Sequence, residues 1–216
     1  MIRDNLYPKP IQKLIELFIK FPGIGPKQAA RFAFYLLKED KKTVSDIAAV
    51  IAELKEGVGY CSQCYRSVEF GKKDSGSTDD THILCDYCRD KNRDSHIVMV
   101  VEKEQDIGPV ERTKKFNGLY HVLGGTISPL DSAGPAKLHI KELFERTKKL
   151  LNAKKPAEII LATNPTTEGD TTALYIERVL KPLSVSISRL GRGLSLGSEL
   201  EYADQTTVSA ALTNRK

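Results

Sequence analysis

The sequence predicts an α+β chain of several modules, and three observations carry that prediction. Helical apolar stripes occupy residues 1–56, and four cysteines gather into two CxxC pairs within 57–94. Over 95–190, short β-branched runs alternate with helical stretches, the mark of an α/β domain with a mostly parallel sheet. Residues 191–216 follow as a C-terminal segment.

In the first module, Ile11, Leu14, Ile15 and Phe18 recur at i, i+3, i+4 and i+7, and Ala29, Phe32, Ala33 and Leu36 repeat the spacing. Val44, Ile47, Ala48 and Ile51 make a third stripe, with Thr43 as its expected N-cap. Three short helices sharing one small core are expected. Between the first two lies Phe21-Pro22-Gly23-Ile24-Gly25-Pro26-Lys27, a helix–hairpin–helix pattern. Gly23 and Gly25 permit a tight turn whose backbone N–H groups sit beside a helix N-terminus, where an anion such as a DNA phosphate is favoured. Lys27 and Arg31, four residues apart, fall on one helical face next to that turn. Such contacts bind phosphate without reading bases. The same hairpin could serve self-association.

Cys61 and Cys64 form one pair and Cys85 and Cys88 the other, with twenty residues between them. Two such knuckles suit a closed tetrahedral site of four thiolates, which predicts one structural Zn2+ per chain. Free thiols, disulfides and a dithiol redox centre are the other uses of cysteine. All four residues falling into paired knuckles favours the metal. The intervening GKKDSGSTDDTH is too polar to build a core, so the ion takes over that role. His82 lies near the second knuckle but is superfluous once four cysteines fill the shell.

Beyond residue 95, IVMVV (97–101), EIILA (158–162) and VSISR (185–189) read as strands, separated by helices at about 137–151 and 168–181. Hydrophobic residues make up 40% of the chain and charged residues 28%, so it can bury a core. Lys and Arg number 33 against 28 acids, and the net charge of +5 leans mildly toward an anionic partner. No run of about 18 apolar residues occurs, so no membrane span is expected. The N-terminal MIRDNLYPKP lacks the apolar core of a signal peptide, and a cytoplasmic location is expected.

Glu102 directly follows the IVMVV run, and LATNPTTEGDTTALYIERVL gives a strand, a polar turn and a helix. This pair of segments resembles the Toprim domain of topoisomerases and primases. There a glutamate assists proton transfer and a later DxD pair holds magnesium. Here the DxD position reads Asn164-Pro165-Thr166, so both metal carboxylates are replaced by neutral side chains. Magnesium prefers anionic oxygen ligands, and no catalytic centre is expected. Glu168 and Asp170 open a helix, where acids are favoured anyway.

The order of parts, together with FPGIGPKQAARFAFYLL, GLYHVLGGTISPLD, LATNPTTEGDTTALYIERVLK and GRGLSLGSELEYADQTTVSAAL, resembles the RecR family of recombination mediators over essentially the whole chain. The stretch between the CxxC pairs is longer than the family pattern and reads as a surface insertion. Gly191, Ser195 and Ser198 depart from it in the last block. The resemblance implies a DNA-repair protein that acts with RecO, and with RecF in many bacteria, to load RecA at single-stranded gaps. It implies a dimer or tetramer ring that clamps single- or double-stranded DNA without sequence preference. Lys27 and Arg31 would face the DNA, and a Toprim surface near Glu102 and Glu168 would meet partners. With no catalytic centre, Glu102→Gln should leave folding and DNA binding nearly unchanged, while impairing partner-dependent loading if that acid lies on the docking surface. Two rivals remain: a Toprim phosphoryl-transfer enzyme using Glu102, Glu168 and Asp170, and a zinc-stabilised adaptor that binds proteins only.

Overall fold

A computed structural model describes residues 6–69, 83–128, 134–152 and 157–215. The expected insertion at 71–82, His82 included, lies outside the described residues. The chain divides into two compact units, one ending at Gly57 and the other beginning at Val58.

In the first unit, α1 (Lys9–Ile19) and α2 (Pro26–Lys38) pack through Ile15, Ala29 and Ala33, flanked by Ile11, Leu14, Phe18 and Ile24. The two alanines let the helices approach closely, and Phe18 meets Phe32 edge-on at 5.8 Å. Gly23 takes φ +76°, which the turn requires, and Gly25 caps α2 ahead of Pro26 at its first position. The third helix, α3 (Lys41–Gly57), differs from expectation in two ways. Asp40, not Thr43, caps it, accepting from the Thr43 N–H and Oγ1–H at 2.9 Å each, so Thr43 already lies inside the helix. Its apolar stripe also contributes no buried side chain, and Val44, Ile47, Ile51 and Leu54 remain exposed. The small core therefore joins two helices, not three.

The second unit begins with a hairpin of β1 (Val58–Tyr60) and β2 (Ser67–Glu69), then a single turn of helix, α4 (Asp86–Arg89). The sheet comprises β3 (Asp94–Val101), β4 (Gly118–Val122), β5 (Glu158–Ala162) and β6 (Ser186–Arg189), in the order β4-β3-β5-β6 with every pairing parallel. Helices α5 (Ile107–Arg112), α6 (Ile140–Asn152) and α7 (Thr167–Leu180) connect successive strands. Alternation along each strand builds two cores. Val98, Val100, Ile159 and Leu161 pack with Leu143 of α6 and Ile176 of α7. Met99, Val101, Tyr120 and Val122 pack with Ile107 of α5 on the other face. The chain leaves β3 toward β4 on one side and later builds β5 and β6 on the other. The crevice at the carboxyl ends of β3 and β5 is thus the topological switch point, where open α/β sheets place their sites.

After β6 the chain runs to α8 (Gln205–Thr213), capped by Asp204, which accepts from Thr207 N at 3.0 Å. Asn214 Nδ2 donates to Arg192 O at 2.7 Å and ties this segment down. Among the described residues, no helix is long and apolar enough to cross a membrane.

Candidate metal centre and nucleic-acid interface

The two knuckles are built by different local structures. Cys61 follows β1, its N–H donating to Arg66 O at 2.7 Å, while Tyr65 N donates to Cys61 O and adopts φ +65°. Cys85 caps α4, its Sγ accepting from Cys88 N at 3.5 Å. Ser62 N donates to Ile83 O at 2.9 Å and stitches the knuckles together. The four ligand atoms all lie within 4.8 Å of one another, and Cys64 Sγ is 3.4 Å from Cys85 Sγ. Zn–S bonds of about 2.3 Å put tetrahedral sulfurs roughly 3.8 Å apart, so the group has the right size for a metal ion. Cys61, Cys64 and Cys85 are 0–3% exposed. Four soft ligands leave no open position, so this centre can hold the chain but has no place for a substrate.

This module is welded to the sheet. Val122 N of edge strand β4 donates to Cys64 O at 2.8 Å, so the first knuckle covers an edge that would otherwise be free. Glu104 accepts from Arg66 Nε and Ser67 N, each at 2.9 Å. Arg93 reaches Glu111 at 2.6 Å and lies 4.4 Å over the Tyr87 ring. Tyr65 stacks on His139 with ring centroids 3.8 Å apart. His121, fully buried, is pushed down to about 3 by burial, with the Arg146 charge adding to the effect, so it is neutral, and its Nε2–H is placed to donate to His139 O at 2.7 Å. Sequence reasoning found the cysteines but none of these partners, which lie tens of residues away with no spacing rule to connect them.

At the switch point, Glu102 is 4% exposed and both its oxygens are occupied. Oε1 accepts from Asn164 N at 2.7 Å and Oε2 from Asn164 Nδ2 at 2.6 Å. Asn164 therefore clasps the acid. Thr166 caps α7, its Oγ1 accepting from Gly169 N at 3.1 Å. Asn164 thus holds the loop and Thr166 starts the helix. Asp170 is taken by Arg192 and by Arg189 at 3.4 Å, and chiefly Arg192 holds its carboxyl below the usual range. Glu168 is exposed. The expectation that Glu102 and Glu168 together face partners is corrected for Glu102, whose carboxylate points into the protein and is not available to a partner. In Glu102→Gln the carboxylate charge is lost from both bonds, and the exposed Asn164 amide must turn over so that its Oδ1 accepts from the new Nε2–H. The substitution is expected to cost about 1–3 kcal/mol, readable in urea unfolding. A cleft of about 810 Å3 lies beside the clasp, lined by Asn164, Thr166, Arg189, Arg192 and Thr207 among others.

In the first unit, Lys27 and Arg31 are both exposed on α2. The buried Ala29 and Ala33 lie two positions further along, roughly 200° around the helix, so the basic pair points away from the core. At Gly23 and Gly25 nothing lies within 4 Å of where a Cβ would stand, so the turn is open to an approaching ligand.

Three family models match the chain: "RecR, helix-hairpin-helix" over residues 11–55, "Toprim domain" over 96–191, and "RecR, C-terminal" over 193–216. "Recombination protein RecR" of Cutibacterium acnes is 44% identical over 210 residues, covering 97% of this chain and 96% of that protein. "Recombination protein RecR" of Staphylococcus aureus is 43% identical over 209 residues, covering 97% and 98%. With the hairpin, the cysteine group and the parallel Toprim sheet in this order, and with relatives so similar end to end, the chain belongs to the RecR family of recombination proteins.

Proposed function

We propose that this chain is a DNA-repair mediator without catalytic activity. It clamps DNA as an oligomer, contacts phosphates through Lys27, Arg31 and the Gly23–Gly25 turn, and works in the cytoplasm with RecO and RecF to load RecA at single-stranded gaps. One structural zinc on Cys61, Cys64, Cys85 and Cys88 holds the module that packs against the Toprim sheet. Glu168, exposed at the start of α7, is a partner contact. The observation that carries this reading is the exposed basic pair beside an open glycine turn, in a chain with end-to-end similarity to recombination proteins.

Binding should be insensitive to sequence and steeply salt-dependent. In Lys27→Ala/Arg31→Ala the slope of log K against log salt should flatten by roughly 1 per lost phosphate contact. Titrating single- and double-stranded DNA at several salt concentrations measures this, and an unaltered slope and affinity would remove the hairpin from the interface. A protein-only adaptor would bind neither DNA at low salt.

Phosphoryl transfer would require Glu102 to be free and anionic ligands at 164 and 166. Asn164 occupying both Glu102 oxygens supports the non-catalytic reading. Supercoiled, nicked and single-stranded DNA should pass unchanged through a magnesium and manganese titration. Cleavage, joining or primer synthesis that follows the protein through purification would establish the enzyme instead.

A further inference from the structure

Arg146 lies on α6, far in sequence from every cysteine, yet it reaches the metal module. It is 8% exposed and sits between the buried Leu143 and Thr147 of the same helix. Its Nη1 donates to Tyr120 O of β4 at 2.6 Å and to Gln63 O at 3.3 Å, and Gln63 lies inside the Cys61–Cys64 knuckle. Its Nε and Nη2 are buried with no hydrogen-bond partner, which leaves three N–H protons unserved. Among the described residues, no carboxylate pairs with it. A buried guanidinium without a counter-charge is strongly unfavourable, so something in this chain must supply one.

The Cys61–Cys64 knuckle, which Arg146 touches through Gln63 O, is the source the geometry offers. Four thiolates around one divalent ion leave two net negative charges, a surplus the centre itself cannot cancel. Burial acts most strongly on Arg146 and lowers its pKa, while negative charge at Cys88, and then at Cys64, Cys61 and Cys85, acts in the opposite direction. We propose that Arg146 is the counter-cation of the metal–thiolate centre, a positioning residue that neutralises the sulfurs from α6 and sets how firmly they keep their ion. The inference rests on the zinc reading above. It gives the unserved N–H groups a role through charge, since no sulfur accepts a hydrogen bond from them. It also explains why a buried arginine was spent on two carbonyl contacts that a neutral amide could make. The coupling runs both ways: loss of the ion leaves a buried cation uncompensated under β4 and α6, and loss of the cation raises the energy of the thiolates.

Cobalt(II) taken up by the full-length chain in place of zinc reports on the sulfurs through the thiolate-to-cobalt charge-transfer band. Arg146→Met keeps an unbranched apolar stem and removes the charge. Arg146→Gln removes the charge while leaving a shorter polar side chain, and it carries the test if the Met variant does not fold. In either, the band should move to lower energy, because the sulfur lone pairs lose a nearby positive charge. Zinc transfer to a chromogenic chelator should become at least tenfold faster. Arg146→Lys should restore most of the band position. A parent chain that takes up neither zinc nor cobalt overturns the metal reading and this inference with it. A parent that binds cobalt, beside a folded neutral variant with the same band and the same release rate, overturns the role of Arg146 alone.

Discussion

Cys64→Ser is expected to abolish stoichiometric zinc and to lower the unfolding free energy by more than about 4 kcal/mol, the range associated with losing a metal or a buried network. Cys64 is 1% exposed, so the substitution puts a hydroxyl among thiols and leaves three ligands where the ion needs four. The effect spreads because the same residue's carbonyl receives Val122 N–H from the edge of the sheet. Once the knuckle opens, β4 loses its cover, Gln63 O leaves Arg146, and the Arg66–Glu104 and Tyr65–His139 contacts lose their support. The sheet keeps its two cores, so the variant should retain far-ultraviolet ellipticity while the Val122 amide exchanges orders of magnitude faster. Metal analysis of parent protein purified without chelator should give one zinc per chain. Parent protein free of zinc, or a variant with undiminished stability, would falsify the structural role assigned to this centre.

What could be read from the sequence follows from how local each signal is. EIILA was legible as a strand because β-branched residues fill it between turn signals, and the structure gives β5 over the same residues. GLYHV escaped notice as β4 because it is buried throughout, and a strand buried on both faces shows no alternation, least of all with a tyrosine and a histidine inside it. The α3 stripe was legible as a helix, but periodicity says only that a face is apolar, not what covers it. The cysteine pairs declared themselves through spacing, since each knuckle is local. Their surroundings did not: Arg146 is 83 positions from Gln63, and nothing in a lone arginine on an amphipathic helix distinguishes it from a solvated one. Likewise the neutral side chains at 164 and 166 were plain in the sequence, whereas the task of Asn164 required the distance to Glu102.

That clasp is where the second large effect is expected. Gly169 is the third residue of α7, and a Cβ there would stand 2.1 Å from Asn164 O and 2.8 Å from Glu102 Oε1. The nearer atom is backbone, so Gly169→Ala must push the 164–166 loop away and pull Asn164 off the carboxylate. Overpacking of about 1–3 kcal/mol adds to a comparable cost for leaving the buried acid unsatisfied. Asn164→Asp tests the same clasp by charge instead of volume. It replaces the donor 2.6 Å from Glu102 Oε2 with a second carboxylate, and two like charges so close cannot both ionise cheaply. The folded pair should therefore hold a proton that the unfolded chain has released at neutral pH. A folded-state pKa raised in this way makes stability greatest at low pH and lost as pH rises through the ordinary carboxylate range toward the raised value. Relative to the parent, the variant should thus be most destabilised at pH 7 to 8 and recover between about pH 6 and 4. Millimolar magnesium or manganese should raise its melting temperature more than the parent's, because a divalent ion can take the place of the missing donor between the two acids. Urea unfolding of parent and variant across that pH range, with and without the ion, decides it. A difference that does not vary with pH would mean that residue 164 does not face the Glu102 carboxylate in solution.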